Sequence, residues 1–139
     1  MRELLTTRIE LVARPEAARS ARRHVRDALN AWQITAGRCD DTELVVSELV
    51  GNTVRHSAGA QTATDSVPVV LTLSYVSAEG CLRVEVTDRS SQQPRYRGRP
   101  GDDAESGRGL FLVEAVSKEW GCISMPGGGK TVWCRIEAP

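Results

Sequence analysis

The sequence has no run of about 18 apolar residues, the length that a membrane span requires. Its first residues, MRELLTTRIEL, lack a long apolar stretch followed by small residues, so they do not read as a signal peptide. A cytosolic, non-membrane location is the expectation. Charge of one sign is missing too. Eighteen basic residues cancel eighteen acidic ones, which removes the global basic field expected of a direct nucleic-acid partner. The four cysteines, Cys39, Cys81, Cys122 and Cys134, form no CxxC pair and no zinc spacing. Cys81 and Cys134 begin or sit within strand-like runs, where a reduced cysteine packs as a small hydrophobe. Two histidines are too few for a histidine-rich metal site, and His56 reads as a core residue on an apolar helix face. No Ser-His-Asp or Cys-His arrangement, Walker loop or first-strand Rossmann loop occurs. Internal repeats and domain boundaries are also lacking, so residues 1–139 are expected to form one domain around one core.

What is present divides into helical and strand-like periodicities. Thr6 to Val12 reads as a first strand, and Pro15 opens a helix. Ala18, Ala21, Val25, Ala28, Leu29 and Trp32 form an apolar stripe at helical spacing. Arg19, Arg22, Arg23 and Arg26 fall mainly off that stripe, as a solvated face or a patch for a partner. Gly37 to Asp41 reads as a break, with Asp40 or Asp41 capping a second helix. Leu44, Val45, Leu49 and His56 build much of that helix's buried side. Ser57 to Pro68 is a loop. Val69, Leu71, Leu73 and Tyr75, then Leu82, Val84 and Val86, alternate as two strands joined at Glu79-Gly80. Leu110 to Ser117 reads as a third helix. Glu119 to Met125 and Thr131 to Glu137 read as closing strands around the turn Pro126 to Lys130.

Five features bear on chemistry. In ELVVSELVGNTVRHS, Glu43 to Ser57, a carboxylate at Glu48 stands one turn before an amide at Asn52, on one helix face. Both lie at the edge of the buried side, where a half-desolvated carboxylate is well suited to accept a proton. Asp88 continues the inward series Leu82, Val84, Val86, and a buried aspartate is costly unless it is hydrogen-bonded. A cap or turn aspartate at a strand end is the plainer alternative. Gly107 and Gly109 precede the third helix, where bare backbone N–H groups and the helix dipole favour a phosphate. The glycines 127–129 suit a second loop or a simple hairpin. Residues 90–106 form a long aperiodic loop of the kind that is functional or disordered.

In this order and spacing, the segments ELVVSELVGNTVRHS, LRVEVTD, ESGRGLFLVEAVSKEWG and GGGKTVW resemble the GHKL ATPase superfamily. Gyrase-type ATPases and histidine kinases belong to it. Within it, the chain is most similar to the anti-sigma-factor serine kinases of the RsbW and SpoIIAB type, in the form abundant in actinomycetes. The likeness runs from about Ala13 to Ile136.

The resemblance implies an α/β two-layer sandwich: a mixed, mainly antiparallel sheet with helices on one face, the histidine kinase-like ATPase fold. It implies ATP and Mg²⁺ as cofactors. Asn52 matches the metal-coordinating asparagine, and Glu48 the general base that accepts the proton of a partner's serine hydroxyl. Asp88 matches the aspartate that accepts from the adenine amino group, and Thr131 the threonine that supports this aspartate and the adenine. Gly107, Arg108 and Gly109, with Leu110 after them, match the segment at the phosphates. Residues 90–106 match the ATP lid. The implied partners are a sigma factor and a STAS-domain anti-anti-sigma antagonist, with a homodimer as the assembly. The implied activity is serine/threonine protein kinase. The alternative is a non-catalytic, ATP-responsive module that sequesters a sigma factor or another regulator. A histidine kinase catalytic domain is disfavoured, because no helical phosphoacceptor segment precedes the domain. One departure stands out. The superfamily's DxGxG box reads Asp88, Arg89, Ser90, Ser91, Gln92 here, and both glycines are gone, which restricts the backbone beside the adenine and the lid.

Overall fold

The computed structural model describes residues 3–59, 68–89 and 112–138. In chain order they form β1 (Leu4–Val12), α1 (Ala17–Ala31), α2 (Ala36–Gly59), β2 (Pro68–Val76), β3 (Cys81–Asp88), β4 (Glu119–Ser124) and β5 (Lys130–Glu137). Residues 112–116 add a helical segment before β4.

The five strands form one sheet in the order β1-β2-β3-β5-β4. All of its neighbouring pairs are antiparallel, where the resemblance implied a mixed sheet. The β4–β5 hairpin is the reason. It folds β5 back between β3 and β4, so these two strands, which point the same way, never touch. The β2–β3 hairpin closes where expected. Gly80 takes a left-handed φ of 59°, which its missing Cβ permits, and its N–H reaches the Val76 carbonyl at 3.0 Å.

Strand alternation sorts the side chains onto two faces. One row, Ile9, Leu71, Val86, Val132 and Cys122, crosses all five strands in register. The next row is Thr7, Leu73, Val84, Cys134 and Trp120. These rows face the helices. Leu71, Leu73, Val84 and Cys134 are fully buried, with Val25 and Leu29 of α1 and Val45, Val46 and Val50 of α2 in the same core. Each fully buried aliphatic side chain contributes about 1.5–3 kcal/mol. Burial pushes the Cys134 thiol up to about 11, as expected of a cysteine acting as an apolar filler. The opposite face covers itself. A Cβ at Gly121 would lie 2.9 Å from the Trp133 indole, so that glycine lets the ring lie flat on the sheet. The Arg83 guanidinium stacks 4.7 Å above the ring centroid.

The helices differ from expectation in three places. The first helix stops at Gln33, which adopts φ 61°, and the Ile34 N–H returns to the Leu29 carbonyl at 3.0 Å. A glutamine in the left-handed region gives no glycine signal, so the break was expected four residues later. Gly37 to Asp41 lies inside α2, and Asp41 pairs with Arg38 at 3.3 Å rather than capping the helix. Leu44 is 36% exposed, whereas Val46 and Val50 are fully buried. The cause is that α2 packs against α1 on one flank and against β3 and β5 on another. Its buried arc is therefore wider than one apolar stripe. Among the described residues, no helix is long and apolar enough to cross a membrane.

Candidate functional site

Asp88 ends the inward series of β3, where Leu82, Val84 and Val86 are at most 1% exposed and Asp88 itself is 4% exposed. A carboxylate there needs strong partners, and it has them. The Thr53 hydroxyl of α2 donates to Oδ2 at 2.8 Å, and the Lys130 ammonium of β5 donates to Oδ1 and Oδ2, each at 3.1 Å. Lys130 is 2% exposed and sits directly opposite Asp88 in the antiparallel register. Beside the pair on β4, the Cys122 thiol is pushed up, first by burial, with the Asp88 charge adding and Lys130 opposing.

The glycine turn holds this end of the sheet together. Gly129 adopts φ +92°, and a Cβ there would collide with the Asp88 carbonyl oxygen and come within 3.1 Å of the Arg89 Cα. The three glycines are thus more than a pliable hairpin: the last of them lets two backbones touch at Asp88.

Helix α2 supplies the remaining groups. Asn52 is 6% exposed and Thr53 3%, while Glu48 is half-buried one turn earlier. Because Thr53 bonds Asp88 and follows Asn52, the turn of α2 that bears Asn52 lies against the strand-end carboxylate. The Asn52 Oδ1 accepts from the Arg55 guanidinium. A cation already sits against the oxygen expected to meet a metal. Asn52 suits Mg²⁺, which takes hard oxygen donors and needs few from the protein when phosphates supply the rest. No cluster of three or more His, Cys, Asp or Glu suited to a metal occurs among the described residues.

The Thr131 hydroxyl is turned away from Asp88. Its hydroxyl bonds Thr87 at 2.7 Å and Met125 Sδ at 3.4 Å, and the register pairs it with Thr87. A period of two puts Thr131 on the face opposite Asp88, so Thr53 and Lys130 support the carboxylate in its stead. Gly107, Arg108, Gly109, Leu110, the lid at 90–106 and the His56 side chain lie outside the described residues. Sequence reasoning missed Lys130, Thr53 and Arg55. The signal for Lys130 was available: extending the inward series Ile136, Cys134, Val132 by two more positions ends on it.

Two arginines of α1 tie it to α2: Arg22 donates to Ser47 Oγ at 3.0 Å and Arg26 grips Glu43 at 2.8 and 3.1 Å. Arg19, Arg22, Arg23 and Arg26 together line a groove of about 500 Å³ with Asp27.

Comparison with known proteins places this geometry. In solved structures, the chain is similar to the RsbU and RsbW domains of Rv1364c from Mycobacterium tuberculosis, with 26% identity and a TM-score of 0.67. The match covers 96% of this chain and 32% of that one, so the chain spans about a third of the solved chain's length. The chain also shares its fold with a chain of the SiaB-SiaC complex from Pseudomonas aeruginosa, at 12% identity and a TM-score of 0.69, covering 94% of this chain and 88% of that one. No curated protein matches it in sequence. The family model of the histidine kinase-like ATPase domain matches residues 11–136, and the chain belongs to that family.

Proposed function

We propose that the chain is an ATP- and Mg²⁺-dependent serine/threonine protein kinase of the anti-sigma type. The observation that carries this reading is the Thr53 to Asp88 hydrogen bond at 2.8 Å. It brings the buried acceptor of β3 next to the α2 turn that bears Asn52, so one cleft can hold a base at one end and a metal-bound phosphate at the other. Asp88 accepts the adenine amino hydrogen. Asn52, whose amide oxygen Arg55 contacts, would hold Mg²⁺, which would supply charge neutralisation at the phosphates. Glu48, half-buried beside Asn52, takes the proton of a serine hydroxyl as its oxygen attacks the γ-phosphorus and ADP leaves. Phosphoryl transfer asks for positioning and charge stabilisation more than covalent chemistry, so few side chains suffice. Gly107, Arg108, Gly109 and Leu110 serve the phosphates, and the loop 90–106 serves as the lid. The proposed protein substrate is a STAS-domain antagonist and the proposed captive is a sigma factor, in keeping with the likeness to an RsbW domain. The proposed assembly is a homodimer and the proposed location cytoplasmic.

The test is Glu48→Ala, assayed with γ-labelled ATP and a STAS-domain partner. The expected result is ATP affinity within a few-fold of wild type and phosphotransfer reduced by about 10²–10⁴. Undiminished transfer would take Glu48 out of this role. A second reading is favoured by one observation, the absence of both glycines in the segment Asp88 to Gln92. On that reading ATP sets affinity for a regulator without being hydrolysed or transferred. ATP binding without label transfer to any STAS partner would select it.

A further inference from the structure

The ammonium of Lys130 has a purpose that stapling β3 to β5 does not exhaust. An ammonium carries three protons and accepts nothing, while an ionised carboxylate only accepts. Two of the Lys130 protons go to Asp88, one to each oxygen at 3.1 Å. No other polar partner takes the third among the described residues. The two side chains are 3% and 2% exposed, so water does not satisfy them freely. Their positions are set by backbone: Asp88 and Lys130 are register partners, and Gly129 presses the two strand ends together. An obligate acceptor and an obligate donor thus stand side by side at the place proposed for the base.

We propose that Asp88 and Lys130 read the base as a pair, with Asp88 taking a hydrogen from the exocyclic amino group of a 6-aminopurine and Lys130 giving its remaining proton to ring nitrogen N1. This rests on the reading of the cleft as an ATP site and adds a second base contact to it. A 6-aminopurine presents a donor at position 6 and an acceptor at N1, which complements the pair. A 6-oxopurine presents an acceptor at position 6 and a donor at N1, which opposes it at both positions. Rejection is strong when buried polar groups are left facing like groups. Lys130 is therefore a specificity-determining residue, where a residue that merely tied two strands would affect all nucleotides alike.

The test is titration of the intact chain with the Mg²⁺ complexes of ATP, 1-deaza-ATP and ITP. The first analogue keeps the amino group but replaces N1 with CH. Wild type should bind 1-deaza-ATP about tenfold more weakly than ATP, the loss of one hydrogen bond to a charged donor, and ITP more weakly still. Lys130→Met should bind ATP and 1-deaza-ATP equally, and Lys130→Arg should restore a preference for ATP. The wild-type comparison needs no variant, so it decides the matter even if Lys130→Met does not fold. Equal wild-type affinity for ATP and 1-deaza-ATP overturns the role of Lys130 and leaves the ATP site standing. Wild type that binds ATP no better than buffer overturns the site and this inference together.

Discussion

Two buried carboxylates in this protein are each gripped by a cation through two hydrogen bonds, yet the two cations stand in opposite surroundings. Arg26 holds Glu43 at 2.8 and 3.1 Å across the α1–α2 seam, with side-chain exposures of 64% and 11%. Lys130 holds Asp88 at 3.1 Å twice, with exposures of 3% and 2%. The contact chemistry is nearly the same, but the solvent is not. An exposed pair gains little, because water screens it and two long side chains lose freedom. A buried pair repays its desolvation only with good geometry, and apolar residues of similar volume often do as well. A buried pair at the junction of three elements is thus weak as a device for stability and is better explained by what it offers a ligand.

Breaking the buried pair should have the largest effect. Lys130→Met takes the buried ammonium away from the Asp88 carboxylate, and the expected loss is about 3–5 kcal/mol in chemical denaturation. The double change Asp88→Leu with Lys130→Met should recover most of it, because both charges leave and the Thr53 hydroxyl retains the Leu49 carbonyl at 3.3 Å. A double variant as unstable as the single would mean that the pair is a true strut, and the contrast with Arg26–Glu43 would lose its meaning.

The same pair can be disturbed without touching its charges. Gly129→Ala places a methyl against the Asp88 carbonyl and forces a side chain into φ +92°. The expected cost is about 1–3 kcal/mol for the conformation, with the collision pushing it to the upper end. Because the strand ends must part, ATP affinity should fall with stability. Normal affinity in a destabilised Gly129→Ala would show that the turn does not position Asp88.

How legible this was in the sequence followed from periodicity. The alternating residues of β2 and β3 and the stripe of α1 announced themselves, because one face of each is apolar and the other is not. The inward aim of Asp88 came from the same rule. Lys130 was hidden by its neighbours: three glycines before it read as a turn that swallowed the first residue of β5. Thr131 was assigned by likeness alone, and the strand's period turns its hydroxyl away from Asp88. The end of α1 was missed because Gln33 does what a glycine usually does. The wide buried arc of α2 was missed because two partners cover it, a tertiary fact that a single stripe does not record. The reading of Glu48 and Asn52 depended only on their four-residue spacing, and that survives any error at the helix ends.

The smallest effect belongs to the half-exposed pair, Arg26 and Glu43, and it is the control that gives the larger ones their meaning. Arg26→Met removes both bonds to Glu43 but keeps an unbranched apolar stem along the helix seam. The Glu43 carboxylate is buried, its side chain 11% exposed, but the guanidinium that leaves it is 64% exposed, so the space it vacates is open to water. The expected change is at most about 1 kcal/mol, and raising the salt concentration should shrink the difference between Arg26→Met and wild type, because screening weakens the same contact. ATP affinity should not change, since Arg26 and Glu43 join α1 to α2 while Asp88 and Lys130 lie on β3 and β5. A loss of several kcal/mol insensitive to salt would mean that the Arg26–Glu43 pair behaves as buried, and the distinction between the two pairs would then have to rest on position alone.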